Sequence, residues 1–382
     1  MLDWLERRFG ARTLINQFLH EPVPAKGRWF YVLGSSTLTA FLLQVVTGIA
    51  LLFFYVPSVD GAYESVVYIM EEVPLGWLIR SLHFYSASAM VLLVALHMAR
   101  VFFSAAYKYP REVTWILGVC LFFATSIQFW SGNLLPFHAF GYWSAVVVTY
   151  GAKYIPIAGN AVYEMIVGGE FVGQATLSRF FLLHVLLLPA LIAAFVLPHL
   201  LLVIRLGEFG WWVNYRQFRH GAPPEGTENE RFGHGSAEES VPFFPRQAIR
   251  DATASLLLLV TLFALAFLVG APIFSKADPS SLDFVPRAQW FFMPLQRFAD
   301  FMPGPLLTPF VTWIFLIVLF AAMVSVPFLD RDAERNPFRR PAMTILGIFI
   351  ILLFGMLFIL EVMQDPAINE IIQPAYDPRW TR

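Results

Sequence analysis

Long apolar runs, each bounded by charged residues or by proline, recur along the chain. Each run has about 20 residues, the length that an α-helix needs to cross the hydrocarbon core of a lipid bilayer. The pattern therefore predicts seven transmembrane helices. The predicted spans, numbered in chain order, cover approximately residues 31–55, 78–104, 114–134, 178–204, 252–271, 306–327 and 342–362.

The segments outside the spans, together with the two groups of spans, divide the chain into four parts. The first has Trp4 and Phe9 among several arginines, a pattern typical of an amphipathic helix on the membrane surface. The third holds the polar stretch 216–240, rich in Gly, Pro, Glu and Arg, which predicts a linker. The predicted fold is an all-α membrane protein with a surface helix at 1–28, a four-helix bundle at 29–210, a linker at 211–247 and three C-terminal helices at 248–382.

Lysine and arginine are unevenly distributed among the connections. They concentrate in the N-terminal segment and after spans two, four and six, whereas the connection after span one has none and the connection after span three has only Lys153. By the positive-inside rule, the N-terminus and the linker lie in the cytoplasm. Because the number of spans is odd, the C-terminus lies on the outer side. We expect this arrangement in a bacterial cytoplasmic membrane.

Composition supports a membrane protein and excludes several functions. Of 382 residues, 58% are hydrophobic and 14% are charged, against about 25% charged in an average soluble protein. The formal net charge of -1 excludes the broad positive surface that nucleic-acid binding needs. The single cysteine, Cys120, excludes an intrachain disulfide, a cysteine-based metal site and a Cys-x-x-Cys-His haem attachment. Any redox centre therefore has other ligands.

Four histidines lie inside the predicted spans. His83 and His97 are 14 residues apart in span two, and His184 and His199 are 15 apart in span four, so each pair lies on one broad helix face. Both spans run inward, which puts one histidine of each pair at an outer level and one at an inner level. A lone histidine in hydrocarbon often bonds to a backbone carbonyl, but two level-matched pairs favour a functional site. They predict two bis-histidine haems, His83/His184 outside and His97/His199 inside.

Glycines in spans one and three share the same spacing. Gly34 and Gly48 are 14 residues apart, and so are Gly118 and Gly132. Because these spans run outward, the first of each pair lies at the inner level and the second at the outer level. A flat macrocycle between helices needs such missing side chains. Close packing of helices through small residues is the alternative explanation.

Three arginines lie beside the predicted haem levels. Arg80 and Arg100 are three residues from the two ligands of span two, and Arg179 precedes His184. We expect these side chains to pair with haem propionates. Snorkelling to the membrane surface is the alternative explanation, and for Arg100 it explains the position equally well.

Several motifs resemble cytochrome b, the core subunit of quinol:cytochrome c oxidoreductases. They are Arg80-x-x-His83, His97-x-x-Arg100, Gly132-x-x-Leu135-Pro136, Gly141-Tyr142-Trp143, Ser178-Arg179-Phe180 and Asn336-Pro337-Phe338-Arg339-Arg340-Pro341. In the 15-residue spacing of the span-four histidines and in the stop after seven spans, the chain is most similar to the cytochrome b6 and subunit IV pair, here fused into one chain.

The resemblance implies b-type haems and a quinone pocket at each level. It also implies a homodimeric complex with a Rieske iron-sulfur protein, or another outer electron carrier, and a c-type cytochrome. Val32 stands where photosynthetic cytochrome b6 has a haem-tethering cysteine. A covalently bound extra haem is therefore not expected.

The outer quinone site departs from the family pattern. The Pro-Glu-Trp-Tyr motif, whose glutamate resembles a proton acceptor for quinol, appears here as Ala288-Gln289-Trp290-Phe291. An amide cannot take the proton. The segment is either an altered or disabled quinone site or an interfacial aromatic anchor. His138 and Asp283 are the candidate replacement bases. The family's Leu-Pro-Trp also appears as Leu135-Pro136-Phe137.

The inner quinone site looks more intact. Arg250-Asp251 matches a Lys-Asp pair that lies at the inner quinone site in the mitochondrial branch of the family. Such a pair can donate a hydrogen bond and deliver a proton during quinone reduction. An ordinary membrane anchor with a helix-start acid is the alternative. His20, near the inner surface, is a further candidate.

Two classes of function remain open at the level of sequence. The first is the redox subunit of a quinol oxidoreductase, working either in a bifurcating cycle or as a simple di-haem conduit. The second is a haem-free scaffold or transporter, for which the chain offers no inverted repeat or broken-helix signal.

Overall fold

The computed structural model describes residues 28–206, 240–280, 288–301, 307–332 and 334–364, together with positions 4, 6, 8, 19 and 22–24. Most of the predicted surface helix and most of the linker lie outside these residues. His20 and Asp283 also lie outside them.

The described part of the chain is built almost entirely from helices. In chain order they are α1 (Val32–Leu52), α2 (Ala62–Glu71), α3 (Gly76–Phe103), α4 (Glu112–Leu134), α5 (Ala139–Gly151), α6 (Gly159–Val167), α7 (Gln174–Leu182), α8 (Leu188–Leu206), α9 (Ala248–Leu268), α10 (Met293–Asp300), α11 (Leu307–Leu329) and α12 (Pro341–Val362). A π turn, Leu183–Leu187, joins α7 to α8 without a break.

Seven of these helical segments correspond to the predicted spans. Among the described residues, six segments are long and apolar enough to cross a bilayer, with mean hydropathy between 1.7 and 2.9. They are α1, α3, α4, the continuous segment formed by α7 and α8, α9 and α12. The sixth predicted span corresponds to α11. The all-α membrane fold with seven principal helices is therefore confirmed.

Apolar side chains cover much of the outside of the helices. Val46, Leu268 and Leu352 are more than 60% exposed and lie in three different spans. Apolar surface on this scale is rare on soluble proteins. It is stable here because lipid covers it.

One short β-ribbon lies outside the helical pattern. Pro22–Pro24 (β1) pairs antiparallel with Ser240–Pro242 (β2). The ribbon joins the backbone just before the first span to the backbone just before α9. α9 begins at Ala248, four residues earlier than the sequence pattern predicts for span five.

The four N-terminal spans pair within the bundle, and the C-terminal spans pack around them. α1 packs against α3, and α4 packs against α8. α9 then contacts α1 and α3, α11 contacts α4, and α12 contacts α3 and α10. The two halves therefore share extensive helix contacts inside the membrane.

A buried charge cluster joins the two halves at the end of the bundle that carries the connections after α3 and α11. It consists of Tyr107, Lys108, Asp330 and Arg340, and we call it the Asp330 cluster. Lys108 Nζ lies 2.9 Å from Asp330 Oδ1, and both Arg340 and Tyr107 donate hydrogen bonds to Asp330 Oδ2. All four residues are at least nine-tenths buried. The cluster therefore binds the connection after α3 to the connection after α11.

Candidate functional site

The outer pair of histidines converges inside the four-helix bundle. The ring centres of His83, on α3, and His184, in the π turn, are 6.3 Å apart, and the ring planes make an angle of 75°. A metal–nitrogen bond of about 2 Å on each side, with about 1 Å from each nitrogen to its ring centre, places two imidazoles that share one metal about 6 Å apart. The observed spacing therefore fits one metal ion between the two rings.

Each glycine in the two spacing pairs faces the histidine predicted at the same level. A methyl carbon added to the glycine would lie close to Cε1 of that histidine, at 3.4 Å for Gly34 and His97, 3.3 Å for Gly48 and His83, 3.6 Å for Gly118 and His199, and 2.5 Å for Gly132 and His184. The missing side chains thus leave room for the imidazoles and for a flat group between the helices.

Hydrogen bonds orient the imidazoles through their Nδ1 atoms. The pairs are His83 Nδ1 with Thr47 Oγ1 at 2.9 Å, His184 Nδ1 with the Gln128 carbonyl at 3.1 Å and Ser131 Oγ at 3.2 Å, and His199 Nδ1 with the Thr114 carbonyl at 3.1 Å. A carbonyl can only accept, so Nδ1 of His184 and His199 carries the proton there. Nε2 is then the nitrogen with a lone pair for a metal.

These residues fit haem better than a bare metal ion. Among the described residues, no group of three or more histidine, cysteine, aspartate or glutamate side chains is arranged to hold a metal. Two histidines at each level are too few ligands unless the metal brings its own. Haem does so, because its macrocycle supplies four nitrogens and leaves two axial positions.

The spacing arguments missed a repeat of 84 residues that relates α1 to α4. Gly34, Gln44, Thr47 and Gly48 each recur 84 residues later as Gly118, Gln128, Ser131 and Gly132. Gln44 Nε2 donates to the His83 carbonyl at 2.6 Å, and Gln128 Nε2 donates to the His184 carbonyl at 2.8 Å. The two glutamines are therefore part of the histidine sites, and the repeat is the signal that reveals them.

The π turn explains the unequal histidine spacings. Leu188 N–H donates to the Leu183 carbonyl, five residues back, so this turn holds one residue more than an α-helical turn. The 15 residues from His184 to His199 therefore span about the same rotation as the 14 residues from His83 to His97. In a regular helix at about 100° per residue, the 15-residue spacing would place His199 about 60° past the face of His184.

Arg100 lies close to the inner histidine level. Its guanidinium stacks over the Tyr31 ring at 3.9 Å from the ring centre. Its Nη2 is buried and has no hydrogen-bond partner among the described residues. A buried cationic nitrogen is costly without an acceptor. A propionate of an inner haem would supply one.

The other two arginines have protein partners. Arg80 donates to the carbonyls of Ala271, at 3.3 Å, and Pro272, at 3.0 Å, so it ties α3 to the end of α9. The Arg179 guanidinium lies against Gly168, whose φ of +77° also favours glycine. These contacts hold both arginines in place. That Arg80 and Arg179 pair with haem propionates stays a prediction.

Gln289 and Trp290 lie against the wall of the bundle near the outer histidines. Gln289 Nε2 is 3.5 Å from the Phe129 carbonyl, and Trp290 Nε1 donates to Ser88 Oγ at 3.2 Å. Gln289 Oε1 is buried with no hydrogen-bond partner among the described residues. Aromatic rings on both sides, including Phe291 and Phe129, make the surroundings apolar. The Gln289 oxygen can thus accept a hydrogen bond from a bound donor.

His138 has a structural position at the start of α5. Its Nδ1 accepts a hydrogen bond from Gly141 N–H at 2.9 Å, and its ring packs on Phe274. Burial, with a smaller contribution from the Arg80 charge, lowers the pKa of His138 to about 4. The side chain is therefore neutral near pH 7, and these contacts favour a helix cap over a proton carrier.

Arg250 and Asp251 have different partners at the N-terminal end of α9. Gln247, which is buried, donates to Asp251 Oδ1 at 2.8 Å. Arg250 donates to the Arg246 carbonyl at 3.1 Å and lies over the Trp29 ring. Trp29 precedes α1, so this end of α9 lies beside the start of the first span.

Comparisons with known proteins agree with this architecture. The family model for cytochrome b/b6/petB matches residues 18–207. Cytochrome b6 of Synechococcus elongatus is 44% identical over 208 residues, which is 54% of this chain and 97% of that protein. Cytochrome b6 of Acaryochloris marina is 43% identical with the same coverage.

The likeness to a solved structure extends over nearly the whole chain. A chain of a structure described as a hyperthermophilic respiratory Complex III matches with a TM-score of 0.80 and 27% identity, covering 97% of this chain and 93% of that one. The relatives account for the four N-terminal spans, and the solved structure accounts for the three C-terminal ones as well. The chain therefore belongs to the cytochrome b/b6 family of membrane proteins.

Proposed function

We propose that this protein is the di-haem subunit of a quinol oxidoreductase, with axial ligands His83/His184 at the outer level and His97/His199 at the inner level. The observation that carries the proposal is the convergence of His83 and His184 at 6.3 Å, with a glycine against each ring. Family membership and the likeness to a Complex III chain support quinol-linked electron transfer in a bc-type complex. A haem-free scaffold or transporter leaves the paired histidines unexplained.

The side chains at the two levels perform the functions that such a site needs. His83, His184 and His199 have Nδ1 partners that fix the ring orientation and leave Nε2 for a metal. The apolar spans exclude water and so lower the local dielectric constant. Bound haem would supply a one-electron carrier at each level. Arg100 would hold a propionate at the inner level, and Arg80 and Arg179 would stand near the outer one.

We assign the quinone chemistry to the two ends of the bundle. At the inner end, Arg250 and Asp251 would donate hydrogen bonds and protons to a quinone. At the outer end, Gln289 and Trp290 would line the pocket. Neither Gln289 nor neutral His138 is a good proton acceptor near pH 7. A di-haem conduit with a slow or disabled outer quinol site is therefore the second candidate function.

Exchange of electrons outside the membrane needs further subunits. We expect a Rieske iron-sulfur protein or another outer carrier, together with a c-type cytochrome, on the connections near 56–77, 134–177 and 272–305. We also expect a homodimeric complex in a bacterial cytoplasmic membrane. The N-terminus would lie in the cytoplasm and the C-terminus on the outer side, as the positive-inside rule predicts.

The haem ligands are tested by replacing one inner histidine. His97→Leu should remove the inner haem and leave the outer haem, because the outer pair keeps both imidazoles. Visible redox difference spectra of the purified complex, with haem quantified per protein, measure the result. His138→Asn is the matched control, because it alters a buried histidine and retains a side-chain cap for α5. Retention of both haems in His97→Leu, or loss of the outer haem alone, would refute the assignment.

The outer quinone site is tested by restoring the family's acid. Gln289→Glu should speed quinol oxidation by about tenfold or more, because a positioned general base typically contributes about 10²–10⁴-fold. The rate is measured with and without an inhibitor of the outer site. Trp290→Phe is the control, since it alters the pocket without adding a base. If the natural protein already shows fast, inhibitor-sensitive oxidation that Gln289→Glu leaves unchanged, the outer site works by another route.

A further inference from the structure

The π turn leaves the His184 carbonyl without a helical donor. In this turn the Leu188 N–H bonds to the Leu183 carbonyl. The same pattern would pair the His184 carbonyl with the N–H of residue 189. That residue is Pro189, which has no N–H. The carbonyl of a predicted haem ligand therefore needs a donor from outside its own helix.

Gln128 on α4 supplies that donor and contacts the same histidine a second time. Its Nε2 donates to the His184 carbonyl at 2.8 Å. Its backbone carbonyl accepts from His184 Nδ1 at 3.1 Å. A single residue of α4 therefore holds both the backbone and the ring of His184.

The counterpart on α1 lacks this dependence. Gln44 Nε2 lies 2.6 Å from the His83 carbonyl and also bonds to Ser86 Oγ. However, α3 is an uninterrupted α-helix from Gly76 to Phe103, so the His83 carbonyl has its ordinary helical donor. Removing the Gln44 side chain therefore leaves the His83 carbonyl with its helical donor. Removing the Gln128 side chain leaves the His184 carbonyl without a donor.

We propose that Pro189 and Gln128 are positioning residues for the outer haem: the proline and the π turn free the His184 carbonyl, and Gln128 captures it and fixes the imidazole against α4. This inference rests on the proposed function. A hydrogen bond from Nδ1–H makes an imidazole a more basic ligand, and ring orientation depends on the same partners. Gln128 thus influences the outer haem and leaves the inner haem, held by other residues, unaffected.

The first test replaces Gln128 with methionine, which keeps the length of the side chain and removes the donor. In redox titrations of the purified complex, the ratio of reduced to oxidised outer haem at a fixed potential should change by about threefold or more. The electron paramagnetic resonance signal of the oxidised outer haem should also move, because it is sensitive to the angle between the axial rings. Gln44→Met is the matched control, with a smaller change expected. Equal shifts of both haems, or of neither, would overturn the proposal.

The second test restores the backbone donor. Pro189→Ala supplies an N–H at position 189, so in the Gln128→Met background it should return the outer haem's potential and resonance signal toward wild type. Two residues that act on one carbonyl should give such a non-additive result. If Gln128→Met loses the outer haem altogether, the double variant should bind that haem again, and this result then decides the test. Failure of the double variant to recover contradicts the proposal, whereas absence of an outer haem from the wild-type protein contradicts the proposed function itself.

Discussion

Asp330→Asn is expected to reduce stability by about 3–5 kcal/mol, because it leaves Lys108 and Arg340 buried without their counter-charge. Both cations contact the Asp330 carboxylate, and each is about 5% exposed. Their desolvation cost remains after the substitution, while the attraction that offsets it is lost. Asp330 joins the N-terminal and C-terminal halves, so the loss should appear as separation of the halves at the end where the Asp330 cluster lies.

A protease site inserted within 216–240 turns that separation into a direct measurement. After cleavage in detergent, the two halves should remain associated in the wild-type protein and come apart at a markedly lower temperature in Asp330→Asn. Glu64→Gln is the matched control, because the Glu64–Lys276 ion pair is about half exposed and such pairs contribute less than about 1 kcal/mol. Equal dissociation temperatures in wild type and Asp330→Asn would show that helix packing alone holds the halves together.

The same cluster predicts a pH dependence. Burial alone would raise the pKa of Asp330, but hydrogen bonds from Lys108 and Tyr107 and the nearby positive charges outweigh burial and lower it. A carboxyl group with a lowered pKa stabilises the folded state above its unfolded pKa of about 4, and that contribution is lost as the pH falls through the folded-state pKa. Association of the cleaved halves should therefore be steady near neutral pH and weaken in acid. Asp330→Asn should lack this acid-dependent loss.

The transmembrane fold was accessible from the sequence because the bilayer imposes one simple rule. A helix must present about 20 apolar residues to cross the bilayer. That pattern marked the seven principal helical segments found among the described residues. Levels inside the bundle followed from helix direction and residue spacing. For this reason Gly48 and Gly132 were matched to the correct histidines without knowledge of any contact.

Local departures from regular helix were not accessible in this way. The spacing argument assumed about 100° per residue throughout, so the π turn at Leu183–Leu187 was invisible to it. Pro189 was the available signal, because a proline inside a span leaves an acceptor without its donor. The three-residue ribbon of β1 and β2 was also missed, since it is too short to show an alternating pattern.

The Asp330 cluster was not accessible from the sequence for a different reason. A charge just outside a span normally lies in water, so the pattern gave no sign that Lys108 and Arg340 are buried. Their burial depends on Asp330, which is more than 200 residues from Lys108 in the chain. One sequence cannot show that such distant residues meet, so the cluster emerged only from the structure.

Gly132→Ala is expected to weaken retention of the outer haem about tenfold or more, although alanine is by about 1 kcal/mol the better helix former. The added methyl carbon would lie 2.5 Å from Cε1 of His184 and 3.0 Å from both ring nitrogens, so the imidazole must move away from its position opposite His83. Steric overlap with a ligand ring that Ser131 and Gln128 hold in place outweighs the gain in helix propensity. The stability of the folded chain should change little, while the outer haem signal falls.

Gly118→Ala is the matched control for this experiment, because it makes the same change in the same helix, one haem level away. Its methyl carbon would lie 3.6 Å from Cε1 of His199, an ordinary van der Waals contact, so the inner haem should be retained. Haem content per protein and visible redox difference spectra after purification measure both variants. Full retention of the outer haem in Gly132→Ala would mean that the His184 ring can shift without losing its ligand position. Gly132 would then serve only the close packing of helices.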